Sequence, residues 1–358
     1  MSSSTTQQFG KIGYQTDFDV EGLFSYLRQH FPHLSASIES GDLSLVPISG
    51  GQSNPTYFLT VGDRELVLRK APGGETLPGA HAVHREYRIM DALADSDVPV
   101  PKMVMLENDT NILGARFYLM ERLDGQVFHE SILPEHSPAD RSEIYRDKAR
   151  ILANLHRVDV VEKNLQDYGR TGSFFTRQIH RWTKQWELSK TREIPEIDQL
   201  AKWLKENDDG DETLTLVHGD YRMGNLMLHP KEPRIVGVLD WELSTLGHPL
   251  ADLAHATAMW HITPEEYGGV MGADLKGLGI PERQQFEDIY LEAAGFSNGL
   301  TTFHRAFALF RWAVIFEGIA KRAQSGNAAA KNADAVGALS VTLGRRGAEL
   351  LSGNRLPG

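Results

Sequence analysis

Val217-His218-Gly219-Asp220-Tyr221-Arg222-Met223-Gly224-Asn225-Leu226, followed by Ile235-Val236-Gly237-Val238-Leu239-Asp240-Trp241-Glu242, is the stretch that decides the reading of this chain. Thr213–Val217 and Ile235–Asp240 have strand character, so Asp220 and Asn225 fall on the loop after one strand and Asp240 closes the other. Phosphoryl transfer asks little covalent chemistry of a protein. It needs a carboxylate that orients the attacking hydroxyl and takes its proton late, and oxygen ligands that hold Mg2+ against the phosphates. Asp220 suits the first task. Asn225 can return to the same place across a short loop, and Asp240 supplies a second metal ligand. Any one of these residues alone is compatible with shaping a turn or capping a helix. All three at this spacing, with Gly219 and Gly224 between them, point to catalysis. His218 reads as a scaffold for the loop, since Asp220 is the better-placed base.

Upstream, the pattern is sheet with one helix. Leu43–Ile48 is an apolar run, Thr56–Val61 and Glu65–Arg69 read as a hairpin around the Gly62-Asp63 turn, and Pro72–Gly79 reads as a loop. Val83, Tyr87, Met90 and Ala94 mark a helix over His81–Ala94, and Arg116–Glu121 is a further strand broken by Leu123-Asp124-Gly125. Downstream the periodicity turns helical. One stripe runs Ile144, Ile151, Leu152, Leu155, Val158 and another Phe175, Ile179, Trp182, Trp186, and the last third from Ala251 is again helical. The expected division is a small sheet-rich part over residues 1–121 and a larger helical part over 122–358. His81 and His84 stand three apart near a helix start with no evident third ligand, so they are not read as a metal site.

The 358 residues include no cysteine, which excludes disulfides, thiolate metal sites and cysteine nucleophiles and suits a cytoplasmic enzyme. A formal net charge of −11 argues against nucleic acid as a partner, because phosphate backbones need a basic surface. No apolar run is long enough to span a membrane, and Met1–Phe9 lacks the apolar core of a secretory signal.

The run HGDYRMGNLML followed by VLDWE resembles the aminoglycoside phosphotransferase and choline-kinase superfamily, as does Gly247-His248-Pro249-Leu250-Ala251-Asp252-Leu253-Ala254. The resemblance implies an α+β, bilobal protein-kinase-like fold with a small sheet-rich N-lobe, a larger helical C-lobe, and ATP bound between them. It implies that Ser49-Gly50-Gly51-Gln52-Ser53-Asn54 is the nucleotide-binding loop, where glycines admit phosphate to backbone N–H groups. Gly50, Gly51, Ser53 and Asn54 are its candidate contacts. Arg69 falls where the family often has the phosphate-binding lysine, with Lys70 beside it. Strand alternation sends the two to opposite faces, so only one can serve. Glu86 matches that cation's helix partner, and Met120-Glu121-Arg122-Leu123 matches the segment whose backbone meets adenine, making Glu121 and Leu123 candidates.

For the acceptor, Arg177, Arg181 and Lys184 share one face of a helix, which is either a solvated basic face or a cradle for an anionic substrate such as the phosphates of coenzyme A. Arg345, Arg346 and Arg355 weigh against a polycationic antibiotic. The segments Tyr168–Trp186, Leu77–Tyr87 and Asp240–Gly247 resemble the kinase domain attached to certain acyl-CoA dehydrogenases. That narrower resemblance implies phosphorylation of a 4-hydroxyacyl-CoA or related hydroxy acid, with a separate acyl-CoA dehydrogenase in the same pathway. Kinases of aminoglycosides, choline or other small alcohols, and an inactive pseudokinase that only binds, are the alternatives. A protein kinase fits less well, because DWE replaces its DFG.

Overall fold

A computed structural model of the chain describes residues 16–32, 37, 42–48, 54–73, 82–325 and 333–353. Gly50, Gly51, Ser53, His81 and Arg355 lie outside the described residues. The chain divides into two compact units, one within Met1–Ala94 and Val100–Leu123, the other comprising Asp95–Pro99 and Asp124–Gly358. The division therefore falls after Leu123 rather than Glu121, and Asp95–Pro99 groups with the helical unit. There the Pro99 carbonyl accepts from the Val238 amide (2.8 Å) and Asp95 pairs with Lys163.

The first unit is built on an antiparallel five-stranded sheet of order β1-β2-β3-β5-β4, with β1 (Leu43–Pro47), β2 (Thr56–Val61), β3 (Arg64–Lys70), β4 (Met103–Glu107) and β5 (Phe117–Glu121). Period-two alternation puts Tyr57, Leu59, Val61, Leu66 and Leu68 on one face, where Leu23, Phe24 and Leu27 of helix α1 (Val20–His30) complete a core. Helix α1 starts at Asp19, whose carboxylate accepts from the Glu21 amide. Helix α2 (Val83–Ala92) packs against β4 and β5 and buries Val83, Glu86, Ile89 and Met90.

The second unit is helical: α3 (Pro138–His156), α4 (Phe174–Ser189), α5 (Pro195–Glu206), α6 (Pro249–Thr257), α7 (Arg283–Ala294), α8 (Thr302–Gln324) and α9 (Ala333–Leu351), with shorter turns between. Its main core gathers Phe175, Ile179 and Trp186 of α4 with Ile197, Leu200 and Leu204 of α5 and the Phe307–Phe316 run of α8. Helix α6 is buried at every residue. Two small strand groups interrupt the helices. In one, β6 (Gln126–Val127), β8 (Leu226–Leu228) and β9 (Ile235–Val238) line up as β6-β8-β9; in the other, β7 (Thr215–Val217) pairs β10 (Thr245–Gly247).

Helix α3 carries an unusual core residue. Lys148 lies on the stripe of Ile144, Tyr145, Ile151 and Leu152 and is 1% exposed, with its ammonium 5.7 Å from the Tyr145 ring centre and 5.4 Å from that of Phe286. Burial pushes its pKa down to about 7. In the unfolded chain the same amine titrates near 10.4. Between those values the unfolded chain holds one more proton, so stability falls as pH drops from about 10 to 7 and the penalty is complete below that. Lys148→Met is therefore expected to raise stability in urea by about 2 kcal/mol at neutral pH, after allowing for the lost cation–π contacts. The gain is expected to vanish near pH 10; a gain that persists there assigns it to packing instead.

Candidate active site

The two motif loops are closed by the same two strand pairings. Residues 218–225 run from the end of β7 to the start of β8, and residues 239–244 run from the end of β9 to the start of β10. Thr245 pairs with Val217 at one end, and Leu226 with Val238 at the other. Asp220, Asn225 and Asp240 thus belong to one doubly clamped pair of loops. The Leu239 amide donates to the Asn225 carbonyl (2.8 Å), which ties the loops together beside both metal-ligand candidates.

Asp220 is held from both carboxylate oxygens. Asn225 Nδ2 donates to Oδ2 and to the Asp220 carbonyl, each at 2.8 Å, and Arg222 Nε lies 3.3 Å from Oδ2. His255 Nε2, from α6, lies 2.9 Å from Oδ1. Burial alone would push this carboxyl up, but the His255 hydrogen bond and the Arg222 charge hold it well below the usual carboxylate range.

The loop's backbone hangs from a second acid. Asp252 accepts from the His218 amide (2.6 Å) and the Gly219 amide (2.8 Å), and His156 Nε2 lies 3.5 Å from it while its other ring nitrogen meets the Tyr290 hydroxyl at 2.6 Å. His218 acts as the loop's scaffold: its Nδ1 accepts from the Asp220 amide (3.1 Å), so its Nε2–H donates to the Leu239 carbonyl (2.9 Å). Gly219 has φ +84°, and a Cβ there would stand 2.6 Å from the Leu243 carbonyl oxygen. Only glycine fits both demands. Asp240 itself sits in the left-handed region, at φ 65° and ψ 62°.

The donor set suits Mg2+. Asn225 spends its Nδ2 on Asp220, and those bonds leave Oδ1, the atom able to ligate a cation, unused. Asn225 and Asp240 offer the one or two protein oxygens that Mg2+ usually takes alongside phosphate and water. No cluster of three His, Cys, Asp or Glu among the described residues offers a closed protein cage instead.

In the first unit, the register pairs Arg69 with Tyr118 on the face under α2. Arg69 Nε lies 2.9 Å from Glu86 Oε2, the Tyr118 hydroxyl donates to the same oxygen at 3.3 Å, and Asn54 Nδ2 donates to Oε1 at 2.7 Å. Lys70 is sent to the opposite face, where it is fully buried, pairs with Asp17 at 2.6 Å and lies over Phe18. This separates the two candidate cations: Arg69 meets Glu86 and Lys70 does not. Asn54 is likewise turned inward, bound to Glu86 and buried. Glu121 is exposed at the end of β5, its amide donating to the Lys102 carbonyl (2.9 Å), and Leu123 is half-buried.

The three basic residues of α4 differ. Arg177 wraps its guanidinium around the carbonyls of Arg170, Thr171, Gly172 and Ser173 (2.6–3.0 Å), which closes the loop before α4. Arg181 and Lys184 are exposed. Arg181 lies beside Trp182 (5.5 Å), and the half-buried Arg311 of α8 lies over the same ring (5.4 Å) while donating to the Gly219 carbonyl (2.5 Å). The exposed face is thus linked to the catalytic loop through Trp182 and Arg311. Arg345 and Arg346 are paired with Glu349 and Glu266, so they carry no information about the acceptor.

Sequence reasoning assigned no role to Asp252, His255, Arg222 or Arg311. Asp252 and His255 stand one helical turn apart, a spacing that could have flagged them as neighbours on one face. Arg311 lies 92 residues from Gly219, with no local signal.

The model of the phosphotransferase enzyme family matches residues 44–287. Human acyl-CoA dehydrogenase family member 11 is 38% identical over 317 residues, which cover 87% of this chain but 40% of that protein. A Ralstonia eutropha crystal structure, provisionally classed as an aminoglycoside phosphotransferase, is 41% identical with a TM-score of 0.83, covering 95% of this chain and all of that one. A thermostable mutant aminoglycoside phosphotransferase, solved with AMP-PNP and hygromycin B, shares the fold at 16% identity, with a TM-score of 0.59 over 93% of this chain and 99% of that one. No described helix is long and apolar enough to cross a membrane.

Proposed function

The chain belongs to the phosphotransferase enzyme family, and on that premise we propose that it transfers the γ-phosphoryl group of ATP to a hydroxyl of a small acyl-bearing anion, of the hydroxyacyl-CoA or hydroxy-acid class. The observation that carries this reading is the clamped loop pair, which brings Asp220, Asn225 and Asp240 together on elements fixed at both ends. Asp220 accepts a hydrogen bond from the acceptor hydroxyl. As the oxygen–phosphorus bond forms and the bond to ADP breaks, the hydroxyl proton passes to this carboxylate. A carboxyl with so low a pKa is a weak base, which suits a loose transition state in which the proton leaves late. Asn225 Oδ1 and Asp240 would hold Mg2+, which when bound neutralises charge on the phosphates. Arg69, aligned by Glu86, is the proposed phosphate-binding cation, and the backbone at Glu121 and Leu123 is proposed to meet adenine. Lys70 and Asn54 have structural partners instead.

The acceptor class is supported by the name of the human relative, 40% of which this chain matches, and by Arg181 and Lys184 standing exposed, Arg181 beside Trp182. An acyl-CoA dehydrogenase is the proposed pathway partner. The test is a panel of hydroxyacyl-CoAs, free hydroxy acids, amino-alcohols and aminoglycosides, read by ADP release and by the mass gain of one phosphate. A hydroxyacyl-CoA is expected to exceed the amino-alcohols and aminoglycosides at least about tenfold in kcat/KM, and Arg181→Glu with Lys184→Glu to remove most of that preference. A preference for polycations overturns the acceptor assignment, and release of ADP with none of the panel overturns the transferase reading.

A further inference from the structure

Two groups hold Oδ2 of Asp220, but among the described residues Oδ1 depends on His255 alone. We propose that His255 is a positioning residue for phosphoryl transfer: its Nε2–H donates to Oδ1 of Asp220 and fixes the plane of that carboxylate towards the acceptor hydroxyl. The proposal rests on the reading of Asp220 as the group that orients the hydroxyl.

The imidazole is built to be a rigid, neutral donor. It is 1% exposed and stacks flat on Trp312, ring centres 4.9 Å apart and planes 7° apart. Its Nδ1 is buried with no hydrogen-bond partner among the described residues. A buried N–H without an acceptor is costlier than a lone pair without a donor next to an aromatic face, so the single ring proton belongs on Nε2, facing the carboxylate. Burial lowers the ring's pKa and the Arg311 charge adds to that, against the pull of Asp220 and Asp252, so a second proton is disfavoured. His255 also follows Asp252 by one turn of α6. The same helix therefore suspends the loop's backbone through Asp252 and sets its reactive side chain through His255. With Asn225 fixing the opposite edge, the carboxylate cannot turn about its own axis, and small misalignments of a reacting group cost large factors in rate.

Two measurements on the full chain test this. Long-range 15N–1H NMR of the imidazoles, with His255 identified by its loss in His255→Gln, is expected to show Nε2 protonated and Nδ1 bare near neutral pH; a proton on Nδ1 overturns the proposal. In kinetics with an accepted substrate, His255→Leu is expected to lower kcat about 30-fold with KM for ATP within about threefold. His255→Gln, which keeps an N–H donor at similar reach, is expected to restore most of the loss. Equal losses in both variants, or an effect confined to KM for ATP, overturn it. If the wild-type chain phosphorylates no acceptor, the reading of Asp220 fails, while the imidazole measurement still decides whether His255 donates to that carboxylate.

Discussion

Asp220→Asn is expected to lower turnover by about 10³-fold while ATP affinity stays within about threefold. The substitution keeps the shape of the side chain and one acceptor oxygen for Asn225 or His255, so the loop remains closed. It removes the charge that orients the hydroxyl and the group that takes its proton. Nucleotide binding is proposed to rest on other atoms, Arg69 and the ligands Asn225 and Asp240, which the substitution leaves in place. Single-turnover ADP formation and a direct nucleotide titration separate the two effects. Turnover within tenfold of wild type would take Asp220 out of the mechanism.

The second large effect is expected at Asp252. Its carboxylate is 2% exposed and accepts from two loop amides while facing His156. Asp252→Ala leaves both amides buried without acceptors, and a loss of about 3–5 kcal/mol in urea denaturation is expected. Turnover is expected to fall about 100-fold or more even where the variant is folded, because His218 and Gly219 lead directly into Asp220. Burial raises the Asp252 pKa, but the His156 hydrogen bond and the His218 amide outweigh it, so the net direction is down. In the carboxylate range the unfolded chain therefore binds the proton first. This contribution is present above that range and is lost as pH falls through the depressed folded value. The wild-type and Asp252→Ala stabilities are thus expected to converge in acid. A loss below about 1 kcal/mol at neutral pH would show that the loop does not hang from this acid.

What the sequence made legible was what it encodes locally. Asp220, Asn225 and Asp240 sit on turns bounded by short apolar runs, and the strands that clamp them are the residues next to them in the chain. The hairpin of β2 and β3 was readable for the same reason. Strand β4 was hidden because Pro99 and Pro101 punctuate its approach and its residues are all half-buried, without alternation. Helix α1 was hidden by a mixed sequence whose apolar face is evident only against the sheet it covers. Alternation separated Arg69 from Lys70, but which face meets Glu86 depends on where α1 and α2 pack, a tertiary matter. The grip of Arg177 on four carbonyls depends on the path of the loop before α4, and no periodicity reports it.

The left-handed backbone at Asp240 gives that position two opposed appetites. Aspartate tolerates φ 65° better than most residues, yet glycine would sit there without the crowding of a Cβ, by about 1 kcal/mol. Backbone conformation alone favours glycine at 240, and the proposed ion site favours the acid. In a mutant population propagated without demand for turnover, the spread of glycine through this position becomes a clock for how long that demand has been absent.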